Sequence, residues 1–408
     1  MDKVLKDIEY WSQIFILPIY AISTFFPRDK KLWAFGSTFG HRFADNPKYF
    51  YLYINQLKAK EIRAVWISKN KNVVNLLKEN NLEAYSVYSV RGLWYSLRAK
   101  VYIYDNYSKD ICFWLSGGAV KINLWHGIPL KKINMDNKFD PVRNPNTKWK
   151  KVKYALRRIS DEKPSHYVLT TSKFLVPIFS SAFATKKVIS CGYPRNDILT
   201  STEIENVLTQ IENDILNEII ARMNQLKNAK IILYMPTFRE SESDFFDMLD
   251  EQAFDDFIKQ KNIILCIKPH PKSKVKMEYS KLESANIIMI DAEADPYVYL
   301  SYTDALITDY SSIYFDYLLL DKPIIFFCYD LDKYLNSSRE MYFNYDEFTP
   351  GIKANSMEEL ENILSDVESS SDNTALKNKR VKMSKRVFDK GNVKASETLY
   401  HYIQNDIL

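Results

Sequence analysis

Short apolar runs alternate with longer polar or amphipathic stretches along most of the 408-residue chain. Six runs in the first half are rich in β-branched and aromatic residues and are predicted to be strands: Leu32–Ser37, Ala64–Ser68, Val101–Asp105, Lys121–Gly127, Tyr167–Ser172 and Lys187–Gly192. Helices are expected between them, around Tyr49–Lys58 and Asn72–Glu79. Strands separated by helices in this way predict a parallel sheet that is covered on both faces.

A second series begins after a polar stretch, Glu203–Lys227, which the pattern predicts to be one long helix. Five further strands are predicted: Lys230–Phe238, Asn262–His270, Asn286–Asp291, Asp304–Asp309 and Lys322–Asp330. The expected architecture is therefore α/β, with two doubly wound, Rossmann-like domains. The predicted boundaries are an N-terminal segment 1–30, an N-terminal domain 31–202, a connector helix 203–228 and a C-terminal domain 229–408.

The N-terminal segment has an apolar stretch, Ile14–Phe26, that contains Pro18, Ser23 and Thr24. It is too short and too interrupted to predict a membrane-spanning helix, and it lacks the features of a signal peptide. Aromatic residues stand beside cations here, at Trp11, Tyr20, Phe25, Phe26, Arg28, Lys30 and Lys31. That mixture is typical of a membrane interface, so an interfacial segment is predicted; the alternative is a buried first helix of the core.

Composition limits the classes of partner. Hydrophobic residues make up 46% of the chain and charged residues 26%, which indicates a globular protein. The formal net charge of +5 suits an acidic ligand or an anionic membrane surface. Without a long basic run or zinc-finger spacing, nucleic acid is not an expected partner. The four cysteines, far apart in sequence, are predicted to be buried thiols and not disulfides or metal ligands: Cys112, Cys191, Cys266 and Cys328.

Ligands of doubly wound sheets bind beyond the carboxyl ends of the strands, and polar side chains concentrate at those ends here. Two histidines, His126 and His270, follow strands in corresponding places of the two series. The other candidates are cations, hydroxyls and carboxylates: Arg195, Arg239, Lys268, Asp309, Ser311, Ser312 and Asp316. With no glycine-rich phosphate loop and only 9 glycines, a phosphate would be held by side chains and helix N-termini. No cofactor is required by the sequence, which also contains no metal-ligand cluster and leaves dependence on a divalent cation open.

The stretch TDYSSIYFDY, 308–317, shows how such a site could be built. Ser311 and Ser312 lie where a strand is predicted to turn into a helix, and serine is a favoured N-cap at the anion-attracting end of a helix. Asp316 follows Ser312 by about one turn, where it could accept hydrogen bonds from ribose hydroxyls behind a bound phosphate. The alternative is plain capping by a serine, with Asp316 in solvent.

Five motifs in order resemble the CDP-glycerol glycerophosphotransferase family: NLWHGIPLKK, GYPRND, YMPTFRE, IKPHP and TDYSSIYFDYLLLDKPIIFFCYDLDKY. That family includes teichoic acid primases and polymerases and related bacterial capsule enzymes. The resemblance runs from about Leu32 to about Tyr334. It implies a GT-B architecture whose two domains face a central cleft. It also implies peripheral attachment to the cytoplasmic face of the bacterial cell membrane.

The resemblance further implies transfer of a polyol phosphate, first of all glycerol phosphate, from a CDP-activated donor to a hydroxyl of a lipid-linked or polymeric acceptor, with release of CMP. His126 is predicted to be the general base, because histidine titrates near neutral pH. Charge on the leaving CMP and on the phosphoryl oxygens would be stabilised by His270, Arg239, Ser311 and Ser312, with Arg195 and Lys268 as further cations. Asp316 would hold the ribose, and Asp309 is counted with the donor-binding set. The basic stretch after His126 is predicted to be a mobile loop.

Two other functions are compatible with parts of this pattern. A GT-B glycosyltransferase with a nucleotide-sugar donor would have the same architecture. A non-catalytic, membrane-bound assembly factor is the second alternative, and the presence of both His126 and His270 argues against it. The choice between glycerol and ribitol, between a primase and a polymerase, and the oligomeric state are left open by the sequence.

Overall fold

The computed structural model describes residues 13–57, 61–140, 143–159, 162–200, 206–239, 248–273, 282–337, 340–367, 369, 373–389 and 394–408. The chain divides into two packed units. The first unit contains residues 1–126, 133–207 and 388–408, and the second contains residues 127–132 and 208–387. Each unit is built around one parallel sheet.

The sheet of the first unit has the strand order β3-β2-β1-β4-β5-β6-β7, with every neighbouring pair parallel. Its strands are β1 Asp29–Phe35, β2 Arg63–Ser68, β3 Ala84–Ser86, β4 Ala99–Tyr104, β5 Val120–Asn123, β6 Tyr167–Thr170 and β7 Val188–Ser190. Consecutive residues of the central strands are buried, as at Trp33, Ala34 and Phe35 in β1. Burial on both faces explains why these strands are continuous apolar runs in the sequence.

Helices connect these strands: α1 Leu17–Thr24, α2 Asp45–Gln56, α3 Lys71–Glu79, α4 Val90–Arg98, α5 Lys148–Ile159, α6 Val176–Ala182 and α7 Asp197–Thr200. Side-chain capping fixes where two of these helices begin. The side chain of Asn70 accepts a hydrogen bond from the Asn72 amide before α3, and that of Ser89 accepts one from the Gly92 amide before α4.

The sheet of the second unit has the order β10-β9-β8-β11-β12-β13, again parallel throughout. Its strands are β8 Lys230–Tyr234, β9 Ile263–Ile267, β10 Ile287–Met289, β11 Ala305–Thr308, β12 Ile324–Phe327 and β13 Ile352–Ala354. Its helices are α8 Gln210–Gln225, α9 Glu251–Gln260, α10 Ile313–Tyr317, α11 Leu331–Ser337, α12 Tyr345–Phe348, α13 Met357–Ser365 and α14 Thr374–Val387. β10 and β13 are the edge strands, so the candidate motifs that follow β8, β9 and β11 lie at interior strands.

The predicted connector helix is shorter than expected and belongs to the second unit. It is α8, which begins at Gln210; residues 203–205 of the predicted helix lie outside the described residues. A capping box fixes this start, because the Glu212 amide donates to Oγ1 of Thr209 and the Thr209 amide donates to Oε2 of Glu212. Glu212 is buried and also accepts a hydrogen bond from the Asp295 amide at 3.3 Å. The helix is therefore part of this unit's packing.

The C-terminal residues 388–408 belong to the first unit, whereas the sequence pattern assigned them to the C-terminal domain. They contain α15, Ala395–Tyr402. The carboxylate of Asp197 accepts hydrogen bonds from the amides of Ala395 and Ser396, both at 2.8 Å, and so caps α15. Asp389 accepts a further hydrogen bond from Oγ of Ser190 at 2.9 Å. These contacts close the first unit with the end of the chain.

Candidate functional site

In the first unit, the turn after β5 presents the candidate base. Oδ1 of Asn123 accepts a hydrogen bond from the Trp125 amide at 2.8 Å, and Trp125 has a left-handed φ of 54°. Positive φ is uncommon for so bulky a residue and often marks a functional site. The rings of Trp125 and His126 lie 3.8 Å apart between centroids, and His126 is exposed. The turn thus directs His126 out of the sheet edge.

The orientation of His126 follows from one contact. Its Nδ1 lies 3.4 Å from the main-chain oxygen of Asp105, which directly follows β4. A carbonyl can only accept, so Nδ1 carries the proton and Nε2 of the neutral ring carries the lone pair. Asp105 was not among the predicted site residues, although the predicted strand Val101–Asp105 ends on it.

The side chain of Asp105 is buried beside a second acid. Its Oδ2 accepts from Oγ of Ser37 at 2.9 Å and its Oδ1 accepts from the Thr38 amide at 3.0 Å. Burial, together with the nearby carboxyls of Asp110 and Asp45, raises the pKa of Asp105 well above its usual value. Burial also raises the pKa of Asp110. The Asp105–Asp110 pair therefore favours retaining a proton.

Arg195 lies in the first unit, next to His126. Its Nη1 donates to Oδ1 of Asp45 at 2.8 Å and to the main-chain oxygen of His126 at 2.9 Å. The Arg195 amide donates to Oδ1 of Asn46, and the arginine side chain is 5% exposed. These contacts fix the main chain at His126, and the donor contact predicted for Arg195 stays a prediction.

In the second unit, Arg239 is clamped by two carboxylates. Its Nη1 lies 2.7 Å from Oδ2 of Asp309. Its Nε and Nη2 make a bidentate contact with Asp330, at 2.6 Å and 2.9 Å. Burial opposes the charge on Arg239, but Asp309 and Asp330 outweigh it and raise the pKa of the guanidinium. Asp330 ends a predicted strand but was not among the predicted site residues.

Asp309 joins the ends of two neighbouring strands. Its carboxylate accepts hydrogen bonds from the Thr237 amide and, at 2.6 Å, from Oγ1 of Thr237, which follows β8. Asp309 itself follows β11 and is 1% exposed. Because its oxygens contact Thr237 and Arg239, Asp309 orients the arginine from a buried position. The donor contact predicted for Asp309 stays a prediction.

Lys268 and His270 follow β9 and have different environments. Lys268 is buried, and its Nζ donates to the main-chain oxygen of Ala292 at 2.6 Å. Nδ1 of His270 accepts a hydrogen bond from the Lys272 amide at 3.1 Å. Nδ1 is therefore unprotonated, and Nε2 of the neutral ring carries the proton. His270 presents a hydrogen-bond donor where His126 presents an acceptor.

The two serines and Asp316 surround the start of α10. Ser312 is the residue before the helix, and its side chain makes no capping hydrogen bond there. Oγ of Ser311 accepts from the Ile313 amide at 3.5 Å, the outer limit of a hydrogen bond. Asp316 is 1% exposed, and its Oδ2 accepts from the hydroxyl of Tyr297 at 2.5 Å. Plain capping by Ser312 with Asp316 in solvent, the alternative from sequence, does not describe this geometry.

The start of the basic stretch after the candidate base is paired in the second unit, and it is not the mobile loop that was expected. Lys131 forms an antiparallel bridge with Met341. The Lys132 amide donates to the oxygen of Glu340 at 2.8 Å, and the two side chains form an ion pair at 2.9 Å. Nζ of Lys131 donates to the hydroxyl of Tyr334 at 2.6 Å. Main-chain pairing of this kind orders a segment that has no hydrophobic periodicity.

Three further observations concern metal ligands, membrane-spanning helices and the cysteines. Among the described residues, no cluster of three or more His, Cys, Asp or Glu side chains is arranged to hold a metal ion. No helix in the described ranges has the length and hydropathy needed to cross a membrane. The cysteines carry free thiols, three of them buried and that of Cys191 half-buried.

Comparison with known proteins places these motifs in a family. The chain matches the profile of CDP-glycerol:poly(glycerophosphate) glycerophosphotransferases over residues 19–405. A teichoic acid poly(glycerol phosphate) polymerase of Staphylococcus epidermidis is 31% identical over 78% of this chain and 43% of its own length. One of Bacillus spizizenii is 28% identical over 82% of each. The chain thus spans less than half of the first relative and about four fifths of the second.

The structure is similar to that of the wall teichoic acid polymerase TagF, with a TM-score of 0.71 and 24% sequence identity. The match covers 99% of this chain and 97% of the polymerase chain. The likeness shows a GT-B fold of the α/β class. The fold class predicted from the alternating runs is therefore confirmed.

Proposed function

Because this chain belongs to the CDP-glycerol:poly(glycerophosphate) glycerophosphotransferase family, we propose that it transfers glycerol phosphate from CDP-glycerol to a hydroxyl of a lipid-linked or polymeric acceptor. The acceptor oxygen attacks the β-phosphorus and forms a new P–O bond. The bond from that phosphorus to the bridging oxygen breaks, and CMP leaves with that oxygen. The product is a teichoic acid or capsule-type polymer.

The observation that carries this mechanism is the orientation of His126. Its Nδ1–H faces the main-chain oxygen of Asp105 at 3.4 Å, so Nε2 is the atom that takes the proton of the attacking hydroxyl. The carbonyl stabilises the imidazolium that then forms, because Nδ1–H becomes a stronger donor when the ring is charged. A general base of this kind contributes about 10²–10⁴-fold to the rate.

His270 serves the opposite role in the second unit. Since its Nδ1 accepts from the Lys272 amide, its Nε2–H donates to the oxygens on which charge develops. Ser311 and Ser312 add hydroxyl donors at the start of α10, where Ser312 has no capping bond. Donors aimed in advance at the developing charge stabilise the transition state without reorganisation.

Arg239 acts in this proposal through orientation and not as a net positive charge. One guanidinium faces two carboxylates, those of Asp309 and Asp330, so the cluster carries no excess of cations. The bidentate contact fixes the plane of Arg239, and Asp330 also accepts from the hydroxyl of Tyr310 at 2.9 Å. Lys268 supports the same edge of the sheet through the Ala292 carbonyl. The ribose contact of Asp316 stays a prediction.

Peripheral attachment to the cytoplasmic face of the cell membrane is part of the proposal. Four apolar side chains of the N-terminal segment are exposed: Phe15, Ile19, Ile22 and Phe25. Arg28 anchors this segment to the first unit by donating to main-chain oxygens, including that of Leu115 at 2.7 Å. Exposed apolar residues on an anchored short helix suit the boundary between headgroups and acyl chains. Trp11, which was also predicted to contribute, lies outside the described residues.

The relatives favour a CDP-linked polyol over a nucleotide sugar. The Bacillus spizizenii and Staphylococcus epidermidis relatives are poly(glycerol phosphate) polymerases. Structures of TagF include a variant soaked with CDPG. These activities support glycerol phosphate as the transferred group and argue against the glycosyltransferase alternative.

The decisive experiment offers the purified protein CDP-glycerol, CDP-ribitol or a UDP-sugar, each with a lipid-linked acceptor, and measures nucleotide release. Each donor is radiolabelled in the group that it would transfer, and CDP-glycerol carries its label at the β-phosphate. Label in the polymer together with free CMP is the expected result. A product labelled only when a sugar donor is used, or no release of CMP from either CDP-polyol, contradicts the proposed function.

A further inference from the structure

A pocket opens in the first unit beside α5. It is lined by three cations, Arg143, Arg158 and Lys163, and by the phenols of Tyr107 and Tyr154. All five belong to the first unit, and none of them was among the predicted site residues. A concave surface with several cations and hydroxyl donors is suited to an anionic ligand.

The charges of the pocket are not fully compensated by its own lining. Three cations face it but only one carboxylate, that of Glu162. Arg143 is oriented by ion pairs with Asp140 and, at 3.8 Å, with Glu162, and its Nη2 donates to the hydroxyl of Tyr107 at 2.5 Å. Arg158 is exposed at the rim, and among the described residues no acid is paired with it. Lys163 donates from Nζ to the hydroxyl of Tyr20 at 3.1 Å, so Arg158 is the exposed cation at the edge of the pocket.

Part of the lining is apolar. Met135, Pro164, Ala182 and Phe183 contribute to the lining. Oη of Tyr154 lies 3.2 Å from the sulfur of Met135, so the phenol joins the polar and apolar sides. A ligand that alternates phosphates with short carbon segments would match both sides at once, with charge against the arginines and CH₂ groups against Phe183.

The pocket is also connected to the candidate base by direct contacts. The ring of Phe183 packs edge-on against that of Trp125, with 4.7 Å between centroids, and Trp125 in turn lies 3.8 Å from His126. Asn123, which accepts from the Trp125 amide, lines the pocket as well. One aromatic layer thus separates the pocket from the histidine that is proposed to activate the acceptor hydroxyl.

From this arrangement we propose that the pocket binds an internal phosphodiester of the acceptor chain, while the terminal hydroxyl of that chain lies at His126. This inference rests on the proposed function and identifies a part of the acceptor that it requires. A chain held by its phosphodiester presents its end repeatedly to the same base. The pocket then sets the acceptor affinity and has no part in binding the donor.

The test compares two variants on the same helix. Arg158→Gln removes a cation from the pocket, and Lys150→Gln removes an exposed cation of α5 that does not line it. The probe is a short synthetic glycerol phosphate oligomer, with an uncharged oligoglycerol of equal length as the control ligand. Calorimetry should show about tenfold weaker oligomer binding for Arg158→Gln and a change of less than about twofold for Lys150→Gln. Equal losses of oligomer affinity in both variants, or no loss in either, would contradict the proposal that this pocket binds the oligomer.

A conservative variant tests the pocket without changing charge. Tyr154→Phe removes one hydroxyl from the lining. Because a neutral hydrogen bond contributes about 1 kcal/mol, the affinity for the oligomer should fall several-fold. Circular dichroism melts of all variants should coincide with that of the wild-type protein. Unchanged oligomer binding in Tyr154→Phe together with Arg158→Gln contradicts the proposed contacts.

Further comparisons distinguish this inference from the proposed function and from binding of a lipid headgroup. If wild-type protein releases no CMP but still binds the oligomer in an Arg158-dependent way, the proposed function fails and the pocket stands. If transfer proceeds with the acceptor KM of Arg158→Gln unchanged, the pocket fails and the function stands.

The last experiment uses phosphatidylglycerol vesicles as a competing ligand. Displacement of the oligomer by vesicles with the same dependence on Arg158 assigns the pocket to lipid phosphate and overturns the acceptor assignment.

Discussion

The main-chain oxygen of Asp105 lies 3.4 Å from Nδ1 of His126 and thereby determines which ring nitrogen is basic. The partner is main chain, so the tautomer does not depend on the ionisation of the Asp105 carboxyl. The carboxyl is held separately, by Ser37 and the Thr38 amide. The main-chain oxygen and the side-chain carboxyl of Asp105 can therefore be tested independently.

Replacing His126 with alanine should abolish transfer and leave donor binding and folding intact. The base is expected to contribute about 10²–10⁴-fold to the rate. CMP release and CDP-glycerol affinity should be measured on the same preparations. His401→Ala, which removes an exposed histidine of α15, is the matched control and should be fully active. Turnover of His126→Ala within a few-fold of wild type would show that another group is the base.

Asp105→Asn should flatten the pH dependence of stability. An acid whose pKa is raised in the folded state binds its proton more tightly there than in the unfolded chain. Its contribution to the free energy of unfolding is therefore most favourable below its unfolded pKa of about 4. That contribution is lost as the pH rises through the folded-state pKa. The amide cannot ionise, and it can still accept from Thr38 and donate to Ser37. The variant should therefore melt higher than wild type at neutral pH.

The control for that measurement is Asp256→Asn, at an exposed position on α9. Its melting curve should follow that of the wild-type protein across the same pH range. Because His126 contacts the main chain, Asp105→Asn should also retain transfer within a few-fold. A melting temperature that falls equally at every pH would indicate a lost hydrogen bond and not a removed charge.

Loss of one partner from the Arg239 cluster should be strongly destabilising. Asp330→Ala leaves the bidentate guanidinium with Asp309 alone in a buried position, and breaking such a pair typically costs about 3–5 kcal/mol. Denaturant unfolding measures the loss. Lys259→Ala, which breaks an exposed ion pair with Asp255, should leave the midpoint nearly unchanged. Equal midpoints for both variants would mean that the clamp around Arg239 does not contribute to stability.

Ser312→Ala and Asp316→Ala should separate ligand binding from folding. Since Ser312 makes no capping bond, its loss should leave the melting temperature unchanged and weaken donor and pyrophosphate binding by roughly tenfold. Asp316→Ala leaves the Tyr297 hydroxyl without that acceptor and should lower stability by about 1–3 kcal/mol. If Asp316 also contacts the ribose, its loss weakens CMP but not pyrophosphate, whereas Tyr297→Phe leaves CMP affinity unchanged. Unchanged donor affinity in both serine and aspartate variants would remove this stretch from the site.

Polar substitution of the exposed N-terminal apolar residues should release the protein from membranes. The triple change Phe15→Ser, Ile22→Ser and Phe25→Ser removes apolar area that contributes about 25 cal/mol per Å² when buried in lipid. Sedimentation with anionic vesicles measures the effect, and the fold should survive because Arg28 remains in place. Tyr302→Ser, at an exposed position of the second unit, is the control. Undiminished sedimentation of the triple variant contradicts the interfacial assignment.

The interior of both sheets could be predicted from the sequence because buried parallel strands are continuous apolar runs. The edge strands β3 and β13 could not, since only one of the three residues in each is buried and neither lies in a longer apolar run. The edge strands β7 and β10, which are equally short, were predicted because longer apolar runs contain them. The C-terminal helix was assigned to the wrong unit for a different reason. Its attachment depends on Asp197, which caps residues about two hundred positions away, and no local pattern encodes that contact.

For the site, the sequence predicted which strand ends carry polar side chains but not which of them contact one another. Arg195 and Asp45 are distant in the chain, and only the fold shows that this arginine supports His126. Asp105 and Asp330 were visible as polar ends of apolar runs. A polar residue at the end of an apolar run does not by itself indicate a contact with His126 or Arg239, which only the fold shows.

The return of residues 388–408 to the first unit has a consequence for the order in which the protein can form. Chains emerge from the ribosome N-terminus first, and domains generally fold as units during synthesis. Here the second unit can close as soon as residue 387 is free, but the first must wait for Asp389 and α15 to reach Ser190 and Asp197. The half of the molecule made first is thus finished last. A nascent chain that stops before Asp389 and α15 carries an unsealed first sheet, exposed to chaperones and proteases until those residues are made.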